Sequence, residues 1–334
     1  MTPLTFIMPV FNAEATVAAS IHSVKLLKDL LPNKVQMIAV DDCSTDGSLN
    51  ELNRAAAQHD FVRVLQMPKN GGPGPARNLA LSSIHAGYVG FIDADDQLLP
   101  EGYATCFQMG EQAGADFVTF NGRVINDGTV SGKYDFTRLR DDTASLVRSC
   151  LRSELDGSVI FSIYRRDLIE LAGLYFLSDF YEDIPFSNLA LIRARRRQIL
   201  DIEAYQKAGT AGSIVNSISS RHIIGLFNSI EKIYEELKIN RLLYDGHEAD
   251  FYYGAHGYIA KMAIDAVKSG KHTSVEKQTL LQTIYQEIAD RGVLSTMPKL
   301  TNTRKDTICT TLRHAGENRS IALNTLEELS RLVG

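Results

Sequence analysis

Along the first two hundred residues, short apolar runs alternate with longer stretches in which apolar positions recur every three or four residues. The runs LTFIMPV (4–10), VQMIAV (35–40), FVRVLQ (61–66), YVGFI (88–92) and DFVTF (116–120) are rich in β-branched and aromatic side chains and predict buried strands. Between them, AEATVAASIHSVKLLKDL, GSLNELNRAAAQH, GPARNLALSSIH and EGYATCFQMGEQA carry helical periodicity. Repeated strand–helix–strand units predict an α/β domain built on a doubly wound, mostly parallel sheet. After about residue 215 the pattern changes. HIIGLFNSIEKIYEELK, EADFYYGAHGYIAKMAIDAVKSG, SVEKQTLLQTIYQEIADRG and IALNTLEELSRLV read as amphipathic helices with almost no strand signal. Pattern alone therefore divides the chain into an α/β domain over 1–215 and an α-helical domain over 216–334.

Composition narrows the functional classes. The chain has 334 residues and a formal net charge of −5, so it has no general attraction for nucleic acid or anionic lipid. Cys43, Cys106, Cys150 and Cys309 are scattered, with no CxxC and no His at ligand spacing, which predicts reduced thiols and no zinc site. The start, MTPLTFIMPVFN, lacks a basic leader, and no apolar run approaches the roughly 18 residues that span a bilayer. A soluble cytoplasmic protein is the expectation.

In doubly wound sheets ligands bind beyond the carboxyl ends of the strands, and the unusual residues gather there. YVGFIDADDQLLP runs a buried strand straight into Asp93, Asp95 and Asp96. Three like charges within four residues call for a positive partner. Asp96 suits a helix cap; the other two do not at the same time, and carboxylates one residue apart at a strand end suit a shared Mg²⁺ or Mn²⁺. In VDDCSTDGS (40–48), Ser44 to Gly47 read as caps of the next helix, whereas Asp41 and Asp42 have no such role. A carboxylate at that strand end is able to accept a uracil imide N–H or ribose hydroxyls. KNGGPGPARNLAL (69–81) lacks GxGxxG, which counts against a dinucleotide-dependent dehydrogenase. Its helix is expected to begin near Ala76, putting Arg77 in a first turn where the helix dipole disfavours a cation unless it faces an anion such as a diphosphate. In DFYEDIPFSNLALIRARRR (179–197), Glu182 and Asp183 open a helix as capping acids or, for one of them, as a base. Arg193, Arg195, Arg196 and Arg197 read mainly as a solvated run near that helix's end, with contact to an anionic acceptor or lipid headgroups as the alternative.

The ordered set FIMPVFNAEATVAASIHSV, VDDCSTDGS, NGGPGPARNLAL, FIDADD, GSVIFSIYRRDLI and YEDIPF closely resembles the inverting glycosyltransferases of family 2, which have the GT-A fold; the likeness covers about residues 3 to 215. Cys43 stands where that family often has Gly, and Lys207 in YQKAGTAGSI where an Arg is common. The resemblance implies that Pro9 and Phe11 line the nucleotide base, Asp42 accepts from its imide, and Arg77 lies beside base and phosphates. It further implies that Asp93 contacts the ribose, that Asp95, helped by Asp96, binds Mn²⁺ or Mg²⁺, and that Asp183 is the general base. His222 is a further candidate ligand for the metal or phosphate, against the commoner structural role of a lone His.

The implied reaction is a single displacement with inversion, moving a hexosyl or N-acetylhexosaminyl group from a nucleotide-sugar, by expectation a UDP-sugar, to a hydroxyl of a glycan or lipid-linked acceptor. Bacterial surface polysaccharide is the implied product class, with a cytoplasmic enzyme reaching the inner face of the membrane peripherally. The C-terminal helices are expected to serve acceptor docking, homo-oligomerisation or complex assembly. Two other classes compete. A nucleotidyltransferase would want a Gly-rich basic loop after the first strand, where PVFNAE stands instead. A non-catalytic scaffold of a polysaccharide-assembly complex would bind nucleotide-sugar without turning it over.

Overall fold

The computed structural model describes residues 2–137, 143–154, 157–209, 218–241, 246–295, 298, 304–317 and 327–331. The chain divides into two compact units. The first comprises Met1–Leu146, Asp156–Ser178 and Phe186–Gly209; the second comprises Val147–Leu155, Asp179–Pro185 and Thr210–Gly334. The second unit is thus not a simple C-terminal piece, since two short segments interrupt the first. The expected boundary at 215/216 lies outside the described residues.

The first unit carries β1 (Leu4–Val10), α1 (Val17–Leu30), β2 (Val35–Asp41), α2 (Ser48–Gln58), β3 (Val62–Gln66), α3 (Pro73–Leu81), β4 (Tyr88–Phe91), β5 (Gln97–Leu98), α4 (Pro100–Ala113), β6 (Phe117–Asn126) and β7 (Thr129–Tyr134). Next come α5 (Thr143–Leu151), which runs into the second unit, β8 (Ser162–Arg165), α6 (Arg166–Leu171), α7 (Asp183–Arg193), whose residues 183–185 belong to the second unit, and β9 (Arg197–Ala208). The strands form one sheet in the order β3-β2-β1-β4-β8-β6-β9-β5, with β7 paired to β6. Neighbours from β3 to β4 are parallel; β8 runs antiparallel to both β4 and β6, and β9 runs parallel to β6. The sheet is therefore parallel-rich and mixed, as in the GT-A fold. The strand order reverses beside β1, where the first crossover goes to β2 and a later one returns to β4, which makes that edge a switch point. Pairing of β1 with β4 ends at Ile7, two residues before Pro9, so the missing N–H of Pro9 costs no bond to β4.

The five strands read from periodicity all form. Strands β5, β7, β8 and β9 were not anticipated; β5 has only two residues, and β7 is largely exposed and gives no buried run. Beneath the site, Phe91 meets Tyr164, Phe176 and Phe186 with ring centroids 5.5, 5.4 and 5.7 Å away, an aromatic core under β4. Helix α3 begins at Pro73, three residues earlier than expected, because Pro at N1 loses no helical bond and Gly72 supplies the N-cap with φ +86°.

The second unit contains α8 (Ser220–Ile239), α9 (Glu248–Lys268), α10 (Ser274–Asp290), α11 (Gly292–Ser295) and α12 (Arg304–Glu317). The first three match the expected helices. The expected helix over 321–333 lies mostly outside the described residues, and α12 was not anticipated. A capping box starts α10: Glu276 N–H donates to Thr273 Oγ1 at 3.3 Å and Thr273 N–H donates to Glu276 Oε2 at 2.7 Å. Gly254 of α9 is obligatory, since a methyl there would lie 1.8 Å from the Leu151 carbonyl oxygen. Among the described residues no helix is long and apolar enough to cross a membrane.

Candidate functional site

At the carboxyl ends of β1 and β2, two loops bind each other. Asn12, in the left-handed region with φ 50°, accepts Thr45 N–H on Oδ1 at 2.8 Å, and its own N–H donates to Ser44 Oγ at 3.2 Å. Ala13 N–H donates to Ser48 Oγ at 2.8 Å, Glu14 N–H to Asp46 Oδ2 at 3.1 Å, and Gly47 N–H to Glu14 Oε2 at 3.0 Å. Ser44 and Thr45 therefore serve the neighbouring loop and do not cap α2; Gly47 is the N-cap, and Asp46 accepts from Ser48 N–H at 3.0 Å. This lattice leaves Phe11 projecting with 51% of its surface exposed, beside half-buried Pro9.

Asp42 is buried and clamps the Gly-rich loop, accepting Gly71 N–H at 2.8 Å on one oxygen and Gly72 N–H at 2.7 Å on the other. Each oxygen keeps a second lone pair, so the carboxylate still has acceptor capacity. Its neighbour Asp41 accepts only a long bond from Ser44 N–H, and its Oδ1 is buried with no partner among the described residues. A buried carboxylate oxygen left unpaired is costly, which marks this edge as incomplete without a ligand or water.

The acid turn after β4 is held differently. Arg77 is buried and donates from Nη2 to Asp93 Oδ1 at 2.9 Å, with its guanidinium 5.3 Å from the Phe176 ring centroid. Because α3 starts at Pro73, Arg77 lies beyond the first turn, and the anion it faces within the protein is Asp93. Asn78 fixes Phe176 in turn, donating to its carbonyl at 2.8 Å and accepting its N–H at 2.9 Å. Asp96 is buried and taken up by β9: Ala208 N–H donates to Oδ1 at 2.7 Å and Tyr205 Oη donates to Oδ2 at 2.8 Å. Tyr205 Oη also accepts Asp93 N–H at 3.1 Å. Burial first, then Asp93, pushes the Asp96 carboxyl up to about 7. Sequence reasoning missed β9 and Tyr205; the alternation in RQILDIEAYQKA was the available signal.

Asp95 is the contrast. Its side chain is exposed and takes no hydrogen bond from another residue among the described residues. Burial of its surroundings and the Asp93 charge raise its carboxyl pKa, while Lys207 acts to lower it. Among the described residues no group of three or more His, Cys, Asp or Glu is arranged to hold a metal ion. The oxygen donors still fit Mg²⁺ or Mn²⁺, which take only one or two protein carboxylates and complete their shell with water and phosphate. Asp95 is the carboxylate open to do so; Asp96, with both oxygens engaged by β9, braces the turn.

The first unit thus brings Pro9, Phe11, Asp42, Arg77, Asp93, Asp95 and Asp96 to one edge of its sheet. Asp183, the first residue of α7, and buried Glu182 fall in the second unit, as does His222. His222 accepts or donates a 2.8 Å bond between Nδ1 and Ser219 Oγ, stacks on Phe180 at 3.7 Å, and has its pKa lowered by burial and then by Arg221. Its observed contacts are those of a structural residue. In the arginine run, Arg197 donates from Nε to the Leu191 carbonyl at 2.8 Å, closing the end of α7, and Arg196 lies 3.5 Å from Asp116.

The profile of glycosyl transferase family 2 matches residues 5–172, half of the chain. Among curated relatives, poly(ribitol-phosphate) β-N-acetylglucosaminyltransferase TarS of Staphylococcus aureus (strain MW2) is 25% identical over 247 residues, covering 72% of this chain and 40% of TarS. Poly(ribitol-phosphate) β-glucosyltransferase of Bacillus spizizenii is 25% identical over 207 residues, covering 61% and 30% of the two chains. The chain thus spans less than half the length of these relatives. Among solved structures, S. aureus TarS 1–349 in complex with UDP superimposes with a TM-score of 0.69 at 20% identity, covering 98% of this chain and 91% of that one. Mannosyltransferase PcManGT from Pyrobaculum calidifontis, in complex with GDP-Man and Mn²⁺, gives 0.54 at 15% identity, covering 99% and 87%. At these identities the structural likeness is one of fold.

Proposed function

This chain belongs to glycosyl transferase family 2, and we propose that it transfers a sugar, with inversion, from a nucleotide-sugar to a hydroxyl of a glycan or lipid-linked acceptor in surface polysaccharide synthesis. The observation that carries this reading is the edge at the sheet's switch point. There an exposed aromatic, an incompletely paired pair of acids and one open carboxylate, Asp95, stand on adjacent strand ends. The donor assigned is a UDP-sugar. Phe11 offers its ring to the base, Asp42 its remaining lone pairs to a uracil imide, and Asp93, oriented by Arg77, its carboxylate to the ribose. TarS structures that share this fold hold UDP and UDP-GlcNAc, and PcManGT holds GDP-Man with Mn²⁺, which favours the same class of donor here.

A divalent cation at Asp95, Mn²⁺ or Mg²⁺, would supply charge to hold and neutralise the diphosphate. Lys207, whose charge already acts on Asp95, is assigned to the same leaving group. Asp183 is assigned as the base that takes the acceptor's hydroxyl proton, on the strength of the family motif YEDIPF. The second unit is assigned to the acceptor.

A thermal-shift series with UDP, GDP and CMP, each with Mn²⁺, tests the donor reading, because a ligand of the native state raises Tm as RT ln(1 + [L]/Kd). UDP is expected to give the largest shift; a larger shift with GDP would remove the UDP-sugar assignment. Asp183→Asn should keep that shift and lower transfer by about 10²–10⁴-fold. Native-rate transfer by the variant would leave Asp183 as a helix cap only. Full UDP binding with no turnover of any donor by the native chain would favour the scaffold.

A further inference from the structure

Helix α8 carries a glycine in its interior, Gly225, where almost any other residue would be the better helix former. Its surroundings give the reason. A methyl there would lie 2.6 Å from the Phe180 carbonyl oxygen, 2.9 Å from the Phe180 nitrogen and 3.2 Å from Asp179 Cβ. The helix therefore rests directly on the main chain of residues 179–181, the turn that leads into α7 and its first residue, Asp183.

Residues three and four positions further along α8 face the same way and bind the same turn. Asn228 Nδ2 donates to Asp179 Oδ2 at 2.7 Å, and Arg291 Nη2 donates to Asn228 Oδ1 at 2.7 Å, which sets the direction of that amide. Ser229 is fully buried, and its Oγ donates to the Tyr181 carbonyl at 2.9 Å. One turn back, His222 stacks on Phe180. Tyr181 stands at φ 64°, a left-handed conformation that a bulky side chain keeps only where its surroundings impose it. Its carbonyl also accepts the Ile184 N–H at 3.3 Å, so it opens the first turn of α7, and Asp183 lies within that turn. The Tyr181 phenol feels the Asp183 charge: burial first, then Asp265 and Asp183, push its pKa up to about 12.

A helix start needs none of this. Gly at 181 would make the same turn without strain. Strain, an interior helix glycine and a buried hydroxyl are all committed to one turn, and the group they orient is the carboxylate two residues on. We propose that Gly225, Asn228 and Ser229 are positioning residues: they hold the 179–181 turn in its left-handed form and so fix how Asp183 presents its carboxylate to the acceptor hydroxyl. This deepens, and rests on, the reading of Asp183 as the base.

The test is steady-state release of UDP from UDP-glucose and UDP-N-acetylglucosamine by the full chain with Mn²⁺, water standing in for the acceptor. Ser229→Ala should lower kcat about threefold to tenfold, with the donor KM and the UDP-induced rise in Tm unchanged. Asn228→Asp sets two carboxylates face to face and should cost about tenfold to a hundredfold. Adding Asp179→Asn to it restores the pair with its direction reversed and should bring kcat back to within about threefold of native. In an Asp183→Asn background Ser229→Ala should have no further effect, because the group it positions is gone. An equal fold-loss from Ser229→Ala with and without the Asp183 carboxylate overturns the proposal, since a merely structural contact would behave that way. So does native kcat in both Ser229→Ala and Asn228→Asp. In either case a slow Asp183→Asn variant leaves the base reading standing, whereas native kcat in Asp183→Asn overturns both.

Discussion

Two neighbouring stretches of one sheet edge are built on opposite principles. Where β1 and β2 end, backbone N–H groups and side-chain oxygens pair across the loops, and Asp42 spends its charge on two amides of the Gly-rich loop. Where β4 ends, three carboxylates crowd into one turn, and each is handled separately. Arg77 neutralises Asp93, β9 ties Asp96, and Asp95 is left open. The first region gains stability from Asp42. The second gives up stability to keep one acid available, which is the expected cost of a preorganised charged site.

Substitutions should separate the two. Asp42→Ala leaves the Gly71 and Gly72 amides unpaired and is expected to cost about 2–4 kcal/mol in urea unfolding, whereas Asp95→Ala should stay within about 0.5 kcal/mol. Equal losses at both positions would erase the distinction.

The next effect depends on pH. Folded Asp96 titrates at about 7, above the ordinary 3.8, so between those values the folded chain keeps a proton that the unfolded chain has lost. Its contribution is full below pH 3.8 and is lost as pH rises through 7. Asp96→Asn should therefore flatten the stability profile and gain on the order of 2 kcal/mol at pH 8, with no gain at pH 4. A native profile already flat across this range would show that Asp96 ionises freely.

The smallest effect lies in the first region. Cys43 has φ 61°, a left-handed conformation that disfavours a side chain, and its Sγ donates to the Met67 carbonyl at 3.2 Å. Cys43→Gly should change stability by no more than about 1 kcal/mol, in the stabilising direction, because relief of strain slightly exceeds the lost contact and the added freedom of the unfolded chain. A loss above that would mean the thiol contact matters more than the backbone.

The same contrast explains what the sequence made legible. Buried strands flanked by helices read directly, and so did the acids at their ends, because period-two and period-3.6 patterns are local. The Gly that the family favours at position 43 also had a local cause, visible once φ was known. What was not legible is non-local. Nothing near Asp96 in the chain announces Tyr205 and Ala208, more than a hundred residues later, nor that Arg77 meets Asp93. A helix beginning near Ala76 puts Arg77 in its first turn, and the observed start at Pro73 moves it beyond. Nor does a linear reading show that residues 147–155 and 179–185 join the second unit.

Titration calorimetry of UDP, with and without Mn²⁺, on the native chain, Asp95→Asn and Asp96→Asn tests the central claim most directly. If Asp95 is the open ligand, Asp95→Asn should lose the Mn²⁺-dependent gain in UDP affinity, at least about tenfold or 1.4 kcal/mol, with Tm unchanged, while Asp96→Asn retains most of that gain. An Asp95→Asn variant that binds UDP with the native Mn²⁺ dependence would contradict the account.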